Sequence, residues 1–475
     1  MFSGWGSLLG DDPTGERSAE YMGERPAKSV RNRNNHRCPE SPTCTTTERV
    51  GPAMKFVLAS YGTRGDVEPC IAVGQELQRR GHDVRVAVPP DMVGFAESAE
   101  LSAVAYGADA RVWQDVHRDF VTRLYRSPWR TGDLIRLGRA DWKLFTQCWQ
   151  EVNATLTSLA AGADLLLTGV IGEQSAANVA EYYDIPLATL HTFPMRTNGQ
   201  LIPNLPSPLT RSVMTVSERL QWLITKRIED AQRHELGLPK ATGPAQQRIA
   251  DRGSLEIQAY DEVCFPGLAA EWAKFNGQRP FVGALTMELP TDADEEVASW
   301  IARGTPPIFF GFGSMPVKSP ADTIAMISEA CAQLGERALV CAGWSDFSHA
   351  AQCEQIKVVC TMNYAAAFPA CRAVVHHGGV GTTAAGLRAG VPALILPTWG
   401  DQKLWGTQIK RLKVGTARLF SSTTQESLVA DLRTILSPEY VTRAREIAAR
   451  MSKPAKSVVA AADSVEDFAC VRRVG

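Results

Sequence analysis

The feature that most limits the fold is a series of short apolar runs that alternate with helical stretches from Met54 onward. Residues 56–60, 84–88, 103–106, 165–168 and 187–190 read as strands with little polar face. Such strands must be covered on both sides, as in a parallel sheet flanked by helices. Residues 67–80 carry helical periodicity and stop at Gly81. The Pro-rich stretch 193–208 breaks the alternation and reads as a loop over a cleft. A long helix with apolar Val213, Val216, Leu220 and Leu223 follows. A second series begins near Pro306. Strands are expected at 308–311, 338–341, 357–359, 373–376 and 393–396. Helices are expected at 321–334, 381–389, 402–412, 424–436 and 438–451. The fold class is therefore α/β, with two Rossmann-like doubly wound domains.

The chain has 475 residues, too many for one ordinary core. The expected organisation is a disordered extension at 1–53, a first domain at 54–287 and an acidic linker at 288–305. A second domain at 306–454 and a C-terminal helix at 455–475 complete it, the helix packing back on the first domain. Residues 1–53 show no hydrophobic period. Met54-Lys55-Phe56-Val57-Leu58-Ala59 looks like a natural start of translation running into a buried strand. Fifty basic residues against 51 acidic argue against a nucleic-acid binder. The eleven cysteines include no Cys-x-x-Cys pair and no zinc-ligand spacing, which points to reduced thiols and a cytoplasmic setting. No apolar run approaches the roughly 20 residues that span a bilayer. Contact with a membrane surface stays open.

The richest segment is Val375-His376-His377-Gly378-Gly379-Val380-Gly381-Thr382-Thr383, joining a buried strand to a helix. A helix N-terminus offers unpaired N–H groups and the positive end of a dipole. His377, the small residues Gly379 and Gly381, and the hydroxyls of Thr382 and Thr383 together form a cradle for a diphosphate. The same glycines would also serve a tight packed turn. Pro397-Thr398-Trp399-Gly400-Asp401-Gln402 again sits between strand and helix. There a carboxylate beside an amide can bracket sugar hydroxyls, or Asp401 can simply cap the helix. In Tyr61-Gly62-Thr63-Arg64-Gly65-Asp66-Val67-Glu68, Asp66 reads either as an N-cap or as a general base facing a cleft. Phe312-Gly313-Ser314 reads as a βα turn or as a second wall on the phosphates. His82 reads as a surface turn residue, and His191, Asp164, Trp344 and Trp405 carry no individual signal.

In order and company, these segments resemble the UDP-glycosyltransferase superfamily of GT-B fold, family 1. The similarity is greatest to sterol glucosyltransferases and to bacterial glycosyltransferases of the glycopeptide-antibiotic type. It covers nearly everything from Met54 onward. The resemblance implies two domains facing across a cleft and an inverting, metal-independent hexosyl transfer. It implies Asp66 as catalytic base, and His377, Gly379, Gly381, Thr382 and Ser314 against the donor diphosphate. Asp401 and Gln402 would hold the donor sugar. Plant relatives carry a ribose-binding glutamate where this chain has Ala385, and their uracil-stacking Trp has no match near Cys360–Asn363. UDP and dTDP both stay open.

The expected reaction joins a hexose from a nucleotide sugar to a lipophilic alcohol such as a sterol, phenolic lipid or polyketide. That would place it in lipid glycosylation or secondary metabolism. No cofactor or metal beyond the UDP-glucose or dTDP-sugar co-substrate is expected. Trp113, Phe120, Trp129, Trp142, Phe145 and Trp149 would suit a greasy acceptor, and would suit helix packing equally. A different GT-B nucleotide-sugar enzyme such as an epimerase, or a non-catalytic nucleotide-sugar-binding protein, are the competing readings.

Overall fold

The computed structural model describes residues 52–474 apart from 113–114, 117–122, 124–128, 203–204, 276, 314–316, 318, 346, 348–353 and 399. The expected extension 1–53 therefore lies almost wholly outside the described residues.

Twelve described strands form two six-stranded sheets. The first holds β1 (Lys55–Ala59), β2 (Asp83–Val88), β3 (Ser102–Ala105), β4 (Leu165–Gly169), β5 (Leu187–His191) and β6 (Leu255–Gln258). Its spatial order is β3-β2-β1-β4-β5-β6, and every pair is parallel. The second holds β7 (Ile308–Gly311), β8 (Ala338–Cys341), β9 (Ile356–Val359), β10 (Ala373–His376), β11 (Ala393–Ile395) and β12 (Gly415–Ala417). Its order is β12-β11-β10-β7-β8-β9, also parallel throughout. Counted from its own first strand, each sheet has the doubly wound order 3-2-1-4-5-6. Each reverses direction between its first and fourth strands, β1/β4 and β7/β10. At that point the loops splay apart and leave a crevice beyond the carboxyl ends of the strands.

Helices cover both faces of each sheet, so each domain has two cores. Phe56, Leu58, Val86 and Leu167 belong to one face of the first sheet, and Val57, Ala59, Ala87 and Leu166 to the other. The C-terminal helix Pro454–Val474 lies against the first domain. Its Ala461, Ala462, Val465 and Ala469 join the first-domain core. Glu466 on it binds both Arg80 and His82.

The structure redraws several expectations. His82 is buried rather than a surface turn residue: its Nδ1 accepts the Met54 N–H at 3.2 Å while Nε2 meets Glu466. The 288–305 stretch contains the helix Asp294–Ala302, whose Val297 and Ile301 pack into the second domain. Tyr260, Phe265, Leu268 and Trp272, assigned from sequence to the first domain, share a core with Phe309, Leu339 and Trp405 of the second. Among the described residues, no helix is long and apolar enough to cross a membrane.

Candidate active site

Four loops at the two switch points build one cavity of about 600 Å³. After β1 come Gly62, Thr63 and Asp66, and after β4 come Val170 and Ile171. After β7 comes Gly313, and after β10 come His377, Gly379, Gly381 and Thr382. The loop after β11 adds Gly400, Asp401 and Gln402. Every site residue expected from sequence lines this cavity except Ser314, which lies outside the described residues.

Asp66 sits in the first turn of the helix Arg64–Arg79, three residues beyond its N-cap Thr63. It is therefore not the N-cap expected from sequence; the helix starts earlier. One carboxylate oxygen accepts the Thr63 N–H at 2.8 Å and the Thr63 hydroxyl at 3.2 Å, as in a capping box. The same side chain also lines the cavity. Burial raises its pKa to about 7; the charge of Asp401 adds to the rise, and the Thr63 bonds oppose it. Gly62 makes room for this placement. It has φ +131°, and a Cβ there would lie 2.3 Å from an Asp66 carboxylate oxygen.

His377 follows β10 directly, and the β7/β10 register sets His376 beside Gly311, so the two loops leave the sheet side by side. Gly313 has φ +58°, and a Cβ on it would meet the His377 Cε1 at 2.5 Å. Burial holds the His377 pKa near 4, so the ring is neutral at pH 7. Its Nδ1 has no hydrogen-bond partner among the described residues. His376 is deeply buried and its Nδ1 accepts the Gly378 N–H at 3.1 Å, which fixes the start of the turn.

The helix Val380–Ala389 begins at the N-cap Gly379, which has no side chain to cap it. The first-turn N–H groups thus face the cavity beside Gly381 and Thr382. Thr383 does not join them. It is buried, and its hydroxyl donates to the Gly379 carbonyl at 2.8 Å.

Asp401 is the first residue of the helix Asp401–Leu412, after Gly400 in a positive-φ turn. Burial lifts its pKa to about 6, while backbone N–H groups of Asp401 and Gln402 hold it down. The Gln402 amide oxygen accepts both the N–H and the hydroxyl of Thr398, each at 3.0 Å, bracing the loop. Gln402 therefore supports the loop as well as lining the cavity.

Other lining residues escaped the sequence reading. Trp344 and Tyr364 line the second-domain side, and the Arg111 guanidinium stacks 4.2 Å from the Trp344 ring centre. Trp405 packs against Phe265 in the core instead. Ala385 lines the cavity without a carboxylate. Glu68 accepts the Met287 N–H at 2.7 Å and Arg64 at 2.8 Å, tying the first loop to the strap that leads to the second domain. On the other side, Arg388 donates to Thr286, Ala284 and Ser452. Among the described residues, the aromatic set proposed for an acceptor does not line the cavity. Trp142, Phe145 and Trp149 stack along one helix, Trp129 is exposed, and Trp113 and Phe120 lie outside the described residues. The apolar lining on the first-domain side comes from Ala110, Val170, Ile171 and Phe193.

Behind this wall lies a buried ionic cluster that sequence spacing gave no means to find. Arg196 binds Glu173 at 2.9 Å and Glu256 at 2.5 Å, and His191 meets Glu173 at 2.6 Å. It anchors the start of the 193–208 loop.

Two doubly wound parallel domains that share one cavity at their switch points form the GT-B arrangement. Residues 56–194 match the Glycosyltransferase family 28 N-terminal domain, and residues 344–465 match the Erythromycin biosynthesis protein CIII-like C-terminal domain. An uncharacterized glycosyltransferase of Mycobacterium tuberculosis is 62% identical over 418 residues, 88% of this chain and 99% of that protein. One of Mycobacterium leprae is 59% identical, covering 88% and 97%. The chain belongs to this glycosyltransferase family. A sterol 3-beta-glucosyltransferase of Arabidopsis thaliana is 29% identical over 446 residues, 88% of this chain and 69% of that protein. Among solved structures, the calicheamicin glycosyltransferase CalG4 has a TM-score of 0.64 at 16% identity, covering 88% of this chain and 98% of that one. The glycosyltransferase VinC, solved in complex with dTDP, has a TM-score of 0.56 at 16% identity, covering 89% and 100%. These structures share the fold.

Proposed function

We propose that this glycosyltransferase moves a hexose, with inversion and without a metal ion, from a nucleoside diphosphate sugar to the hydroxyl of a lipophilic acceptor. One observation carries the reading. Asp66 from the first domain lines the same cavity as His377, the Gly379–Thr382 turn and Asp401 from the second.

The diphosphate lies at the start of the Val380–Ala389 helix, where first-turn N–H groups and the Thr382 hydroxyl donate to it. The Asp401 carboxylate accepts from sugar hydroxyls. The acceptor enters along Ala110, Val170, Ile171 and Phe193. Its oxygen attacks the anomeric carbon from the face opposite the leaving group and the bond to the diphosphate oxygen breaks. The acceptor proton passes to Asp66, and the nucleoside diphosphate departs. A carboxyl with a pKa of about 7 is better matched to a hydroxyl proton than a free aspartate. Negative charge grows on the leaving oxygen in the transition state. Preorganised N–H groups and His377 stabilise it there more than in the ground state.

The distant sterol 3-beta-glucosyltransferase supports a lipophilic alcohol as acceptor, and the dTDP complex of VinC supports a thymidine donor beside UDP. Labelled UDP-glucose and dTDP-glucose should be incubated with mixed sterol, phenolic-lipid and polyketide acceptors. Acceptor-dependent release of nucleoside diphosphate, with a glycosylated lipid, supports the reading. Release independent of any acceptor, or conversion of the donor to its epimer, would replace it.

A further inference from the structure

The helix Ser207–Glu235 is turned inside out. Its buried positions are Thr210, Thr225, Glu229, Gln232 and Arg233. These are held by polar bonds: Gln232 accepts from Asn178 at 2.7 Å, Glu229 accepts from Trp222 at 2.9 Å and pairs with Arg248, and Thr225 donates to Gln174 at 3.0 Å. The apolar side faces solvent instead. Leu209 is 50% exposed, Val216 56%, Leu220 54%, Leu223 59% and Ile224 62%. At 3.6 residues per turn these positions, with Val213, fall in a stripe about 100° wide and about 22 Å long, opposite the polar bonds. A surface helix ordinarily points this stripe at the core.

Along the apolar stripe the charges are mostly basic. From Ser207 to Ile228 the helix carries Arg211, Arg219, Lys226 and Arg227 against Glu218, with Arg211 held by Glu271 and Lys226 by Asp230. Arg219 and Arg227 stand at exposed positions and have no ion-pair partner among the described residues. The helix Thr131–Ala160, which contacts this one, also exposes apolar side chains. Ile135 and Trp142 on it are exposed, as is Trp129 just before it, alongside the exposed Arg139 and Lys143, while Arg130 and Arg136 pair with Asp133. A dimer formed through the stripe would bring the unpaired arginines of both copies into one interface, where like charges repel. Exposed leucines, a nearby tryptophan and uncompensated arginines are complementary to the interface of an anionic bilayer.

We propose that the outer face of helix Ser207–Glu235 docks the enzyme peripherally on a bilayer rich in anionic lipid. The helix follows the loop whose Thr192 and Phe193 line the cavity, so docking would present the acceptor wall near the membrane. The proposal stands on this surface alone and holds whatever the acceptor is.

The test is flotation of the full-length protein with vesicles of phosphatidylcholine alone and of phosphatidylcholine mixed equally with phosphatidylglycerol. The wild type should float with the anionic vesicles and much less with the neutral ones, and added salt should release it. Leu220→Asp/Ile224→Asp should reduce partitioning at least about tenfold, and Arg219→Glu/Arg227→Glu should abolish the preference for anionic vesicles. Donor hydrolysis should stay at the wild-type rate in both variants, since neither pair lines the cavity. Three results would overturn the proposal. One is a wild type that stays in solution with both vesicle types. The second is an aspartate variant that floats like the wild type. The third is a wild-type dimer, without vesicle binding, that Leu220→Asp/Ile224→Asp converts to monomer.

Discussion

Replacing Asp401 by Asn should lower the pKa of Asp66, and the pH dependence of transfer should show it. Asp66 stands at about 7 because burial disfavours its charge and Asp401 adds a second negative charge in the same cavity. Two unit charges on the order of 10 Å apart at an effective dielectric of about 20 repel by about 1.7 kcal/mol. That is about one pKa unit. The base acts only when deprotonated, so the acid limb of kcat/KM, which reports the free enzyme, should fall with a midpoint near 7 in the wild type. In Asp401→Asn the absolute rate should drop, because the sugar loses a hydrogen-bond acceptor, yet the limb should move to about one unit lower pH. Asp401 itself stands near 6, so the wild-type limb should include two coupled steps and the variant limb one. An unmoved limb in the variant would show that the two carboxylates do not sense each other. A wild-type limb below about 5 would refute the burial argument for Asp66 as well.

The raised Asp66 pKa also has a signed effect on stability. Its folded value lies above the unfolded one, so ionisation costs stability progressively as pH rises from about 4 to about 7 and then no further. Asp66→Asn should therefore raise Tm relative to wild type at pH 8 more than at pH 4, as scanning calorimetry would record; an equal difference at both would remove the effect. His377→Ala should weaken free UDP or dTDP about tenfold and slow turnover about a hundredfold, whereas Asp401→Ala should leave free nucleotide nearly unaffected. Titration calorimetry separates the two. Gly313→Ala should displace the His377 ring and reproduce the nucleotide defect at a stability cost of about 1–2 kcal/mol, measurable by denaturant unfolding. Glu466→Ala strips Arg80 and His82 of a shared partner and should cost about 1–3 kcal/mol by the same measurement while sparing nucleotide affinity.

The strands that frame the cavity were legible because burial on both faces demands unbroken apolar runs, as in Phe56-Val57-Leu58-Ala59 and Ala373-Val374-Val375. The turns after them were legible because a helix N-terminus at a strand end needs small residues, as in Gly378-Gly379. Two strands were missed for opposite reasons. β6, Leu255–Gln258, alternates apolar and polar residues as a half-exposed strand would. All four are buried, because Glu256 is neutralised by Arg196 and Arg279 from distant parts of the chain. β12, Gly415–Ala417, is three small residues long and carries no pattern. The placement of Asp66 was half visible: its fit to a helix start was read from residue type. Its place beyond Thr63 depends on the helix beginning at Arg64, through a glycine at residue 65 that weakens the periodic signal. Trp344 and the Glu173–Arg196–Glu256 cluster had no signal within reach of local spacing, since their partners come from other loops and strands.

In the proposed reaction Asp66 takes the acceptor proton in a cavity whose donor side is built by the other domain. Transfer and binding measured together on Asp66→Asn test it most directly, with one preparation assayed for sugar transfer and titrated with UDP and dTDP. Turnover should fall by about 10²–10⁴ with nucleotide affinity unchanged. Turnover within a few-fold of wild type would contradict it and remove Asp66 from the chemistry.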